Sequence, residues 1–279
     1  MKLRRLIDGL WISLFWGAGL LILIILVSIL GYLLYKGGPA LSFEFITGSP
    51  SGFPLGTEGG VYPAIKGTSC LVLIAILSSA LPGFLTAIYL AEYAGQSKLK
   101  ELFSITVQCM AGVPSIVTGL FAYALFVVHF GFGISLMAGG LALGIMIFPV
   151  IVVTSRDALL AVNNQFRTVG TSLGVSRWYI LRRVIIPQAM PGILSGLLLA
   201  MGYAAGATAP IMVTAAVVSV GSTTSLFDPV MALPYHLYIL FSHQISLENA
   251  YGTALLLVLI LLAINVAAMW IRSLKGKGA

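Results

Sequence analysis

Six runs of this chain carry almost no charge over twenty or more residues. They lie at about Leu10 to Tyr35, Ala64 to Ala91, Phe103 to Phe130, Ile134 to Thr154, Pro191 to Val218 and Tyr251 to Ile271. A helix of about 20 apolar residues crosses roughly 30 Å of hydrocarbon, so each run is long enough to span a bilayer. With 59% hydrophobic and only 8% charged residues, the 279-residue chain has more apolar surface than one water-facing core can hide. The fold class expected is all-α: a polytopic membrane protein whose six transmembrane helices form a single domain over 1–279. The first run is too long for a signal-peptide core, and Lys36-Gly37-Gly38-Pro39 after it is no small-residue cleavage site, so that helix is expected to be retained.

Basic residues set the orientation. Lys2, Arg4 and Arg5 precede the first run, Lys98 and Lys100 follow the second, and Arg272, Lys275 and Lys277 close the chain. Arg156, Arg167, Arg177, Arg182 and Arg183 crowd the stretch between the fourth and fifth runs. Six spans put all of these on one face and leave Lys36 and Lys66 on the other, beside Glu44, Glu58, Asp228 and Glu248. Positive charge marks the cytoplasmic side, so both termini and 155–190 are expected there, with 36–63 and 219–250 as external loops of a multi-pass protein of the cytoplasmic (inner) membrane. Because the charges flank membrane spans, the net charge of +7 is better matched to lipid head groups than to nucleic acid.

Little points to metal or redox chemistry. Cys70 and Cys109 both fall inside apolar runs, where a thiol behaves as a small apolar group, and no metal-ligand spacing occurs. His129, His236 and His243 are isolated from one another and sit near the outer interface, where a structural role is the ordinary one. Between Lys36 and Pro63, Gly, Pro, Ser and Thr dominate, so turns are expected rather than a second domain. That stretch is either a simple connector or a surface that receives a partner. In the second external loop, Tyr235 and Tyr238 are placed to anchor a segment at the membrane interface. Gly139-Gly140 and Gly144 suit close helix packing.

The Arg-rich stretch has its own grammar. Asn163-Asn164-Gln165 gives a polar start, and Phe166 to Leu173 is long enough for about two helical turns. Gly174 can take the positive φ that ends a helix, Ser176 can cap the next segment, and Pro187 should stop it. Two short helices along a membrane face are either a lipid-bound hairpin or a knob for another protein. In the fifth run, Pro210 lacks an N–H and crowds the carbonyl of Gly206, so a kink or opening is expected there. An opened helix exposes backbone groups that only protein or a water-filled cavity can satisfy. The N–H groups after Pro210, with Thr208 and Thr214, are therefore candidate anion donors, against the plainer reading of a packing kink.

The segment Phe166 to Pro187 resembles the coupling loop of binding-protein-dependent ABC importer permeases, whose pattern runs Glu-Ala-Ala, three residues, Gly, nine residues, Ile, one residue, Leu-Pro. Here Gly174, Val184, Ile186 and Pro187 fall on the later positions, while Thr168, Val169 and Gly170 replace Glu-Ala-Ala. Gly59 to Thr68, Ala87 to Ala94, Ala111 to Val117, Thr208-Ala209-Pro210 and Leu233 to His236 are similar, in order, to segments of the phosphate-importer branch of that family.

The resemblance implies an ABC importer type I permease-like fold, alternating access, and ATPase coupling through Phe166, Arg167, Thr168, Gly170, Gly174, Arg177 and Pro187. It implies a substrate pathway at Tyr203, Gly206, Ala207, Thr208, Pro210 and Thr214. The partners it implies are a homologous second permease, two ATPase subunits and an external phosphate-binding protein. No cofactor is expected on this chain; ATP and Mg would sit on the ATPases, since no Gly-x-x-x-x-Gly-Lys-Ser/Thr loop occurs here. Members of the branch carry an Arg and, four residues later, a Glu before Thr-Ala-Pro, where this chain has Tyr203 and Ala207.

Other classes fit less well. Uptake of a different anion stays open because of that departure. An ion-coupled carrier needs ionisable residues at membrane depth, which the six runs lack, although a channel does not. For a membrane enzyme, no nucleophile, base and acid set stands out. Cysteines introduced at Ser176 and Ser222 should label from opposite sides of intact membranes, and labelling from the same side would contradict the six-span arrangement.

Overall fold

The computed structural model describes residues 2–218 and 225–276, so Ser222 and the start of the second external loop lie outside the described residues. Five described helices are long and apolar enough to cross a membrane: Ile7–Gly37, Tyr62–Tyr93, Leu136–Leu160, Arg177–Gly206 and Leu247–Val266. A sixth crossing is made if Lys98–Gly112 and Ser115–His129 count together. In chain order the helices are α1 (Lys2–Gly37), α2 (Phe43–Thr47), α3 (Tyr62–Ile88), α4 (Lys98–Gly112), α5 (Ser115–Ala122) and α6 (Leu136–Leu160). There follow α7 (Gln165–Ser172), α8 (Arg177–Ile180), α9 (Ile186–Gly206), α10 (Ala209–Thr214), α11 (Leu233–Ser242) and α12 (Leu247–Gly276).

The centre is the parallel pair α3 and α6. Between helices in lipid there is no hydrophobic drive, so close van der Waals approach through small residues has to hold them. A methyl group on Gly140 would meet Ile74 Cβ at 2.6 Å, and one on Gly83 would meet Ile151 Cβ at 3.3 Å. Gly144 lies equally close to Ser78. The contact therefore runs almost the length of both helices, as the spacing of Gly139-Gly140 and Gly144 predicts. Ser79 and Thr154 return their hydroxyls to carbonyls of their own helices, at 2.6 Å to Ala75 and 2.7 Å to Val150, so the seam carries no unpaired hydroxyl there. α1 is the opposite case, unburied along its span and fastened only near its end, where Gly37 lies against Tyr251 of α12 and Tyr32 meets the Tyr251 ring edge-on at 5.6 Å.

Two expectations need correction. The third apolar run is not one helix: α4 and α5 meet at 102°, because Pro114 forces Val113 into an extended conformation, φ −71° and ψ 129°. Nor does Pro187 stop a helix. The helix runs through it from Arg177 to Gly206, widened to a π turn over Leu181–Ile185 in which Ile186 N donates to Leu181 O, and the proline follows directly after that wider turn. The fifth span is thus longer at the end nearer α7, and α6 likewise continues to Leu160.

Outside the spans, α2, a hairpin of β1 (Pro50–Ser51) with β2 (Glu58–Gly59), and α11 form a cap. Asn249 Nδ2 ties it to α12 by donating to the carbonyls of Gly56 at 2.9 Å and Thr57 at 3.1 Å. Thr68 Oγ1 accepts from Leu233 N at 2.8 Å and holds α11 to α3. His236 is buried beneath this cap, with Nδ1 3.4 Å from Thr253 Oγ1 and Nε2 unpartnered. Desolvation lowers its pKa from 6.5 to about 4.

The unfolded chain therefore binds a proton at His236 before the folded one does, and stability present above pH 6.5 is lost as pH falls toward 4. A shift of that size is worth about 3 kcal/mol. The thermal midpoint of the detergent-solubilised protein should drop between pH 7 and pH 4.5, and His236→Gln should flatten that dependence relative to wild type; an unchanged slope would show that His236 is not the group responsible.

Candidate functional site

At the Arg-rich end of the bundle, the turn after α7 is built as its sequence suggests. Gly174 has φ +72°, Val175 N donates to Gly170 O at 3.0 Å, and Gly174 N donates to Thr171 O at 3.1 Å. These two bonds are a Schellman motif, which occupies the free carbonyls of the last turn. Ser176 Oγ then accepts from Tyr179 N at 3.3 Å and caps α8. Gly170 lies directly against Ile180, leaving no room for a side chain and folding α7 back on α8.

The apolar side of α7 faces outward. Phe166, Val169 and Leu173, spaced three and four apart, are 43%, 57% and 74% exposed, and α7 buries none of its residues. A stripe of that kind on a helix outside the spans is a docking face for another protein or for lipid. Thr168 and Arg177 line a groove of about 730 Å³ between α7, α8 and the end of α6. Pro187 sits apart from these, on the exposed side of α9's first turn.

Arg167 is the exception on α7, because it turns inward. Its Nε donates to Glu92 Oε1 at 3.1 Å and Oε2 at 3.2 Å, and its Nη2 donates to Oε1 at 2.6 Å. Nη2 also reaches Leu159 O, and Nη1 reaches Val162 O, each at 2.9 Å. Glu92 belongs to the π turn Tyr89–Tyr93 that ends the α3 span, and Leu159 to the last turn of α6. Sequence reasoning put Arg167 in the loop but gave Glu92 no role, since nothing local links residues 75 apart.

In the membrane half, Pro210 opens the fifth span as expected. α9 ends at Gly206, Ala207 is extended at φ −75° and ψ 126°, and α10 restarts at Ala209 with Pro210 in its first turn. The six expected pathway residues divide. Tyr203 and Gly206 are exposed on one face of α9, and Ala207 and Thr208 are half-buried at the break. Pro210 and Thr214 are buried, with Thr214 Oγ1 donating to Pro210 O at 2.7 Å and Met212 N donating to Thr208 O at 3.0 Å. Thr214 thus closes the turn of α10 instead of presenting its hydroxyl to a pathway.

The break has a partner that the sequence reading missed. A methyl group on Gly119 of α5 would lie 2.7 Å from Pro210 Cα, so the arm beyond the 102° bend packs on the restart of the other broken helix. The signal was available in Gly112-Val113-Pro114, inside an otherwise apolar run. Irregular backbone at this depth persists only where protein or a wet cavity covers it; α5 covers the restart at Pro210, whereas Gly112, Val113 and Pro114 at the bend itself are exposed.

Comparison with known proteins points one way. The family described as binding-protein-dependent transport system inner membrane component matches residues 83–275. The phosphate transport system permease protein PstA 2 of Mycobacterium bovis is 32% identical, the match covering 93% of this chain and 85% of that protein. A probable ABC transporter permease protein, YqgI of Bacillus subtilis, is 29% identical over 98% of both chains. Among solved structures, a bacterial ABC transporter involved in import of the acidic polysaccharide alginate superposes at TM-score 0.66, covering 96% of this chain and 98% of that one at 14% identity. An inward-facing MetNI methionine transporter gives 0.62 at 20% identity, covering 77% and 97%. These two establish the shared fold.

Valine at Gly174 would have to hold the positive φ, which costs an ordinary L-residue about 1–2 kcal/mol and a β-branched one more. Gly174→Val should leave membrane insertion intact and lower recovery of a co-purifying ATPase or ATP-driven uptake by about tenfold. Wild-type recovery and uptake together would show that this turn does not position the docking face.

Proposed function

The chain belongs to the binding-protein-dependent transport system inner membrane components, and from that membership we propose that it is the permease subunit of an ATP-driven phosphate importer in the cytoplasmic membrane, with both termini cytoplasmic. The observation that carries the coupling role is α7, which presents Phe166, Val169 and Leu173 outward from a fixed turn. The anion is inferred from the PstA relatives. The subunit is not itself the ATPase; two PstB-like ATPases bind ATP and Mg and grip α7. A PstC-like homologous permease completes the pathway, and a PstS-like binding protein delivers phosphate to the outer cap.

In this reading ATP binding draws the two ATPases together, moves α7 and alternates access to a pathway beside the break before Pro210, where Gly119 of α5 packs on α10. Tyr203, Gly206, Ala207 and Thr208 are this chain's exposed or half-buried contributions to that pathway. Pro210 shapes the break and Thr214 braces it.

An anion leaving water needs positive charge or several donors in exchange. With Tyr203 and Ala207 at the positions of the charged pair, the partner permease is expected to supply at least one Arg facing Tyr203 to Thr214. In the reconstituted complex, inorganic phosphate with its binding protein should stimulate ATP hydrolysis. Removing that partner Arg should abolish the stimulation, and Tyr203→Phe should have a smaller effect. A complex that ignores phosphate and responds to another ligand would reject the phosphate assignment and keep the importer one.

A further inference from the structure

α7 is joined to the bundle by few means. It buries no residue, its apolar stripe faces away, and Gly170 links it only to α8. Its one firm hold on the membrane spans is Arg167, whose side chain is 22% exposed, against Glu92 at 13%. The partners of that guanidinium come from two different helices: the carboxylate ends the α3 span, and the carbonyls of Leu159 and Val162 end α6.

We propose that Arg167 and Glu92 form a strut that carries displacement of α7 into the α3–α6 pair, making them positioning residues for the transport step. This rests on the reading of α7 as the coupling helix.

Three features favour a strut over a simple helix cap. A cap for α6 would need a cation near Leu159 and Val162 but no carboxylate from α3. The guanidinium instead grips Glu92 through two nitrogens, which fixes orientation as well as distance; a lysine ammonium cannot do that. The other ion pair among the described residues, Arg156 with Asp157 at 3.0 Å, joins sequence neighbours and so ties no two elements together. Because α3 and α6 are packed through glycines along their length, a pull on both cytoplasmic ends moves them as one body.

The test uses the whole complex, with both permeases and both ATPases, in proteoliposomes. A single cysteine at Ala207, with Cys70→Ser and Cys109→Ser, reports the nucleotide-dependent change in thiol labelling at the break. Arg167→Glu and Glu92→Arg should each cut that response, and the phosphate taken up per ATP hydrolysed, by about tenfold, with the ATPase still bound. The double charge swap re-forms the α7–α3 pair but sets a carboxylate against the Leu159 and Val162 carbonyls, so it should restore only part of both, and Arg167→Lys should likewise keep only part. The milder Arg167→Gln and Glu92→Gln serve where a reversed charge prevents assembly, and should lose the response likewise.

Full responses in the single variants, or a double swap no better than either single, would overturn the strut. So would loss of the ATPase from the glutamine variants, which would make the pair a docking support. A wild-type complex with a nucleotide response but no phosphate uptake would sink the phosphate reading alone and leave the strut standing. A wild type without any nucleotide response would sink both.

Discussion

Close approach of α3 and α6 is the constraint on which the rest of the molecule rests. Lipid offers apolar side chains the same company as a neighbouring helix does, so two spans stay together only where they fit better against each other than against acyl chains. Gly140 against Ile74 and Gly83 against Ile151 provide that fit at widely spaced levels, and the hydroxyls nearby are satisfied within their own helices. Several elements are fastened to this pair. α10 packs on α6, where Gly139 lies against Ala215, and α11 hangs from Thr68 of α3. The C-terminal ends of both spans meet in the grip of Arg167.

Around that rigid pair the chain concentrates its irregular backbone. The bend at Pro114 leaves Gly112, Val113 and Pro114 exposed, while Gly119 beyond it packs on Pro210 and covers the restart of the other broken helix. Rigid spine and broken periphery suit a protein that changes access without unfolding, because breaks absorb rotation that packed helices resist. The π turns at Tyr89–Tyr93 and Leu181–Ile185 lie at the ends of the spans nearest α7 and α8, where a wider turn allows a helix to take in Pro187 without ending.

What could be read from the sequence followed the range of the interactions involved. Gly174 and Ser176 act through backbone bonds within five residues, and both were legible. Pro210 was legible for the same reason, since its effect on Gly206 is steric and local. Pro114 was not, because an apolar run has the same composition whether its helix is continuous or bent. Pro187 was misread as a stop since the outcome depended on burial of Leu181 and Ile185 holding the π turn, a tertiary effect. Thr214 looked like a donor for a ligand until its neighbours showed its hydroxyl returned to Pro210. Glu92 carried no local sign of its partner at all.

The uneven placement of charge then gains a physical sense. A charged side chain at bilayer depth is costly even when paired, whereas at the ends of the spans the same pair keeps some contact with water and its geometry can be exploited. Among the described residues the one ion pair that joins two helices lies at those ends, between α7 and the spine, while Tyr203 and Thr208 beside the break are neutral. On the reading proposed above, a subunit arranged so transmits force. Recognition of an anion then falls to whatever faces it across the pathway.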